Sequence, residues 1–282
     1  MKLMRRVWTV GIVFLVFCTV LEANPITFSA SGANPAGILG TVDAFRAALG
    51  SLNPNVAGSF GTGRREINWD GVPDAASSPN AFPPNFFNVN SPRGVVFSTP
   101  GAGFQVSANA ASGVPVRFGN INPTYTNTFQ AFSEPRLFTA IGSTITDVNF
   151  FVPGSTIASF TSGFGAVFTD VDNANTTSLA FFDLQGNSLG TFFAPVASGG
   201  LSFIGVFFNA NEQVGRVRIT SGNAIIGPND GPPGTDVVVM DDFIYAEPAN
   251  VVAVPEPSTW ALLATGLLLT FVVRFRGSRL FT

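Results

Sequence analysis

The 282-residue chain has no histidine and one cysteine, Cys18, so Ser–His and Cys–His nucleophiles and histidine zinc sites are excluded. From Asn24 to Glu256, sixteen carboxylates stand against eight arginines and no lysine, a net charge of −8. Such a surface repels phosphate backbones, and without lysine there is no Schiff-base chemistry, so nucleic-acid binding and lysine catalysis fall as well. In chain order, Lys2, Arg5 and Arg6 precede an apolar stretch over residues 7–21, and Ala23 supplies a small residue for cleavage. Residues 1–23 read as a secretory signal peptide. Phe17 is too bulky for the position before a lipidated cysteine, so Cys18 is not a lipoprotein anchor. Cleavage removes it, and the exported part forms no disulfide despite an oxidising destination.

About 230 residues remain, enough for one large β domain or two small ones. Residues 24–60 are rich in Asn, Pro, Ala and Gly, with a short helical pattern over 41–49 closed by Gly50. We assign them to an N-terminal segment, residues 61–247 to a β-sandwich domain and 248–254 to a linker. A strand is expected over 66–69, followed by a Pro/Asn-rich loop (71–93) ordered by Phe82, Phe86 and Phe87. Further strands are expected over 95–97, 104–107, 116–118, 131–132, 145–151, 164–169, 178–184, 188–193, 203–208, 215–220 and 236–245. Their punctuation by Gly, Pro and Asn is that of a sandwich or barrel. Gly186-Asn187 between two apolar runs predicts a hairpin. Alternation in Arg216-Val217-Arg218-Ile219 puts both arginines on the wet face. The fold class is all-β, a jelly-roll-like β-sandwich.

Phe-Phe pairs recur at 86–87, 150–151, 181–182, 192–193 and 207–208. One ring of each pair leaves the inter-sheet core, to be covered by long loops or to form an adhesive face.

Only carboxylate chemistry remains. Glu66 and Asp70 flank Trp69, but four residues of strand separate them by about 13 Å, too far for a retaining or inverting glycosidase pair. Trp69 is therefore core or loop packing, or else a sugar-stacking ring. Period two places Asp170 and Asp172 on one strand face, about 7 Å apart, without the glycine and distal glutamate of an EF-hand. Residues 237–245 are apolar on both faces, a central strand that carries Asp241 and Asp242. A covered carboxylate there needs a cation or strong donors. Calcium, with six to eight oxygen ligands, suits Asp170, Asp172 and Asp242 as one structural site. Solvent-facing strand ends are the plainer reading of the same residues.

Residues 140–247 look like the jelly-roll modules of secreted carbohydrate-binding and adhesion proteins, in which a last-strand aspartate often helps hold calcium. The tail is more specific. Pro255, Glu256 and Pro257 precede thirteen uncharged residues (261–273), then Arg274, Arg276 and Arg279. A helix over that run covers about 20 Å, short of the ~30 Å hydrocarbon core, so Trp260 at one end and snorkelling arginines at the other would make a thin span. Residues 255–282 resemble the PEP-CTERM sorting tail of exported bacterial proteins. The resemblance implies recognition of Pro255-Glu256-Pro257 by a membrane-embedded exosortase, passage through the inner membrane, a transient anchor and delivery to the surface or an exopolysaccharide matrix. The reading is a non-catalytic structural or glycan-binding protein. Exposed Trp69 or Tyr125 would favour glycan binding and packed aromatics a structural role. Two acids in one cleft at catalytic separation would favour a carboxylate-dependent hydrolase.

Overall fold

The computed structural model describes residues 25–210, 212–229, 231–250 and 265–267. The expected signal peptide and nearly all of the sorting tail lie outside these residues. Among the described residues no helix is long and apolar enough to cross a membrane.

The first half of the chain gives strands β1 (Ile26–Gly32), β2 (Arg64–Ile67), β3 (Val95–Ser98), β4 (Gly103–Val106), β5 (Phe138–Ile141) and β6 (Ile145–Phe150). The second half gives β7 (Ser159–Phe160), β8 (Gly163–Val171), β9 (Ser178–Asp183), β10 (Ser188–Phe193), β11 (Ala197–Phe207), β12 (Val214–Thr220), β13 (Val239–Ala246) and β14 (Ala249–Asn250). Helices are α1 (Pro35–Leu49), α2 (Phe86–Val89) and α3 (Tyr125–Thr128). One sheet runs β1-β11-β8-β13-β5-β4, with β2 also on β13, and the other runs β10-β9-β12-β6-β3. From β5 to β13 the chain passes repeatedly between the sheets, and among the described residues of this stretch only β9 and β10 form a direct hairpin. The two inner faces enclose an aromatic core in which the Trp69 ring stacks on Phe138 at 3.9 Å.

The seven-stranded sheet is covered on its outer face as well. Ile38, Val42, Phe45 and Leu49 recur at helical spacing, so α1 presents one apolar stripe, and it packs on Val167, Phe203 and Ile244. Pro35 opens the helix, and Gly50 closes it at φ 97°. The Phe45 ring lies on the cross-strand pair Gly165 and Gly205, where a Cβ on either glycine would sit 2.8–2.9 Å from its carbons.

The expected boundary at residue 61 is corrected by this arrangement. All seven residues of β1 pair with β11, so the N-terminal segment is part of the sandwich. The expected linker is shortened too, because Ala249 and Asn250 pair with β7. No strand forms over 116–118, where Arg117 and Phe118 take left-handed conformations, nor over 131–132. The β9–β10 hairpin forms as expected, its turn held by Asp183, which accepts the Gln185 and Asn187 N–H groups. Arg216 and Arg218 share Asp147 on the wet face, while Val217 and Ile219 are buried.

Candidate functional site

The acidic pair Asp241-Asp242 lies at a break in β13. Met240, Phe243 and Tyr245 point into the inter-sheet core, whereas Ile244 and Ala246 point out under α1. Regular alternation cannot put both 240 and 243 inside, and the register against β8 shifts between them. This β-bulge lets both carboxylates face the loop at Phe132-Ser133. At the same point the neighbour of β13 changes from β5, at Met240, to β2, from Phe243 onward. β2 stops at Ile67, and Trp69 turns the chain at φ 62° with its indole N–H donating to the Asp241 carbonyl at 2.8 Å.

Asp241 is fully buried and accepts the N–H groups of Phe132 (2.6 Å) and Ser133 (3.3 Å). Asp242 accepts the Ser133 hydroxyl at 2.7 Å and faces Arg46 at 3.5 Å. Burial pushes the Asp241 carboxyl well above the usual range, and the neighbouring Asp242 carboxyl adds to it. Burial also raises Asp242, against the pull of Ser133, Asp241 and Arg46. Asp70, just past the Trp69 turn, is raised to about 6, mainly by burial.

Above the bulge, Arg46 grips Glu66 with two bonds, Nε to Oε1 at 3.1 Å and Nη2 to Oε2 at 3.0 Å. Arg64 adds a third bond to Glu66 at 2.7 Å. Pro35, Leu39 and Arg46 share one flank of α1, beside its buried stripe, and this flank forms one wall of a cavity of about 510 Å³. Phe132, Ser133 and Asp242 form its floor, and Asn55, Asn68 and Arg93 complete the rim. Glu66 and Asp242 are thus two acids in one cleft, both tied to the same guanidinium.

The donors that the sequence requires for Asp241 and Asp242 come from the protein itself. The other two aspartates of the expected calcium site are placed elsewhere. Asp170 is left-handed (φ 66°), which resets the alternation of β8; it is buried and accepts the Gly199 N–H, while Asp172 is exposed beyond the strand. Among the described residues no group of three His, Cys, Asp or Glu side chains is placed to hold a metal ion. The turn after β8 is organised by Asp236, which accepts the N–H groups of Asp172 and Asn173 and the Thr176 hydroxyl. Trp69 and Tyr125 are both buried, so neither offers a stacking surface. Sequence reasoning missed Arg46, Ser133 and Arg93. Of these only Arg46 carries a signal, as the one cation of an amphipathic helix that begins at Pro35 and not at the expected residue 41.

Residues 253–277 match the PEP-CTERM protein-sorting motif. The chain carries an exosortase sorting signal. Pro255, Glu256 and Pro257 lie within the matched span, as the sequence reading expected. The PEP-CTERM motif makes this an exported protein with a transient C-terminal membrane anchor, processed by an exosortase at the membrane. None of the curated proteins matches the chain. Among solved structures, it is similar to the enzymatically active domain of tailspike protein 4 of bacteriophage CBA120, at 15% identity and a TM-score of 0.26. The match covers 68% of this chain and 23% of that one, and at this score it carries no argument about fold or activity.

Proposed function

We propose that the protein is a non-catalytic component of the cell surface or extracellular matrix, delivered there by its PEP-CTERM tail. The carrying observation is where the sorting motif begins. The last described strand, β14, runs to Asn250, and the matched motif starts at residue 253, so the signal follows that strand closely in sequence. The strand order supports a jelly-roll reading of that cargo, since β5-β13-β8-β11 facing β6-β12-β9-β10 follows two nested Greek keys. Its tightly packed aromatics suit a passive scaffold. A glycan-binding role is a second reading, favoured by the cavity beside α1, whose polar rim and apolar wall have the mixed lining of a small-molecule site.

Glu66 and Asp242 would be the acids of a hydrolase, but Arg46 already engages both, which supports binding without turnover. The test is fractionation of the native host, with the surface-recovered protein then incubated with the host's own exopolysaccharide. The proposal expects the protein in the surface or matrix fraction and no new reducing ends. Recovery in the cytoplasm would overturn the display role, and released reducing ends would establish the hydrolase instead.

A further inference from the structure

Arg93 is the one arginine of the cavity that no carboxylate answers. Among the described residues it forms no ion pair and its guanidinium donates no hydrogen bond, and its Nε is buried without a partner. The backbone around it is firmly held, with its N–H on the Phe87 carbonyl at 2.7 Å and its carbonyl accepting the Tyr245 hydroxyl at 3.0 Å. The guanidinium lies over the Phe87 ring, 4.6 Å from the centroid. Burial, with Arg65 nearby, makes it easier to deprotonate than a normal arginine, as expected for a cation lacking a counter-charge. By contrast, every other charged side chain of the cavity has an ionic partner, Glu66 in Arg46 and Arg64 and Asp242 in Arg46.

We infer that the cavity binds an acidic saccharide, with Arg93 as the anchor for the carboxylate of a uronate residue. This rests on the glycan-binding reading and names its ligand class. A guanidinium presents a fork matched to a carboxylate, and the strength of that pairing grows where water is scarce. A bare inorganic anion would use the fork but leave most of a 510 Å³ cavity empty. The remaining surface suits a sugar ring. Asn55 and Asn68 make no side-chain hydrogen bond among the described residues and are exposed at the rim to meet hydroxyls. Leu39, Leu52 and Phe132 offer apolar surface to the ring's C–H face.

The experiment is calorimetric titration of the full-length protein in detergent with oligomannuronate, the neutral mannose oligomer of equal length, acetate and inorganic phosphate. The uronate oligomer should bind at least tenfold more tightly than the neutral oligomer or either small anion. Arg93→Gln should remove that preference. Arg93→Lys, which keeps the charge but loses the fork, should retain only part of it. Unchanged ligand-free melting curves for both variants would separate anchoring from a structural role, because the wild-type cation has no partner to lose except the Phe87 ring. If Arg93→Gln does not fold, the Arg93→Lys arm decides. Equal binding of neutral and acidic oligomers, or a preference that survives both substitutions, overturns the inference and leaves glycan binding standing. Phosphate or acetate binding as tightly as the uronate also overturns it. Binding of no saccharide at all overturns the glycan reading with it.

Discussion

Asp70 and Glu247 show how differently single carboxylates are used. Asp70 is half-buried, its carboxyl raised to about 6 by burial despite the bond from the Arg136 N–H. A carboxyl whose folded pKa lies above the unfolded value of ~3.9 favours folding most below pH ~4, and that contribution is lost as pH rises through about 6. Allowing for screening of a half-exposed group, we expect Asp70→Asn to gain about 1 kcal/mol relative to the parent between pH 4 and 6.5. Denaturant unfolding across that range checks it, and parallel pH curves for the two proteins would refute it.

Glu247 is engaged from all sides. It takes two bonds from the buried Arg65 guanidinium (2.6 and 2.9 Å), one from Asn53 and one from the Phe60 N–H. The remaining Arg65 donors hold the carbonyls of Pro54, Gly58 and Pro92. The pair therefore pins the 53–60 loop to the first residue after β13. Glu247→Ala should cost about 3–5 kcal/mol, because it leaves a buried guanidinium without its counter-charge. A loss below about 1 kcal/mol in equilibrium unfolding would mean that the loop relaxes to hydrate Arg65.

At the scale of elements, the contact of α1 on the sheet depends on the absence of side chains. Gly165→Ala places a methyl 2.8 Å from the Phe45 ring and 2.9 Å from the Gly205 Cα, with backbone on one side and a packed ring on the other. Overpacking of this kind costs about 1–3 kcal/mol, and thermal unfolding should register it. No change in melting temperature would show that α1 rides loosely on the sheet. The sequence discloses strands where alternation is regular, as in β6 and the Arg216–Ile219 part of β12, and where apolar runs flank a turn, as in β9 and β10. β1 was hidden because Ile-Thr-Phe-Ser-Ala-Ser-Gly, though alternating, sits in a stretch of small and turn-forming residues. β5 is only four residues long and follows Pro135 closely. Period-two reasoning failed at Asp170 and at Asp241-Asp242, where a left-handed residue and a bulge reset the count. Counted at period two, the same acids suit a metal site. Their partners, Ser133 and Arg46, come from segments 109 and 196 residues away, and no local pattern could announce them.

At the scale of the whole molecule, the sequence was most explicit where the fold contributes least, in the tail. Composition and the sorting motif together define an exported acidic cargo, and the folded body adds a seven-stranded and a five-stranded sheet closed by α1. Its N-terminal strand is an edge of the larger sheet, while its C-terminal strand ends beside β7, directly before the signal. A folded domain is thereby presented with its processing site adjacent to it. The most direct measurement is mass spectrometry of the C-terminus of the protein recovered from the surface of a host with the sorting enzyme and of one without it. We predict that residues beyond Pro257 are missing in the first host and retained in a membrane-bound form in the second. An intact Thr282 on surface protein from the sorting-competent host would contradict the account.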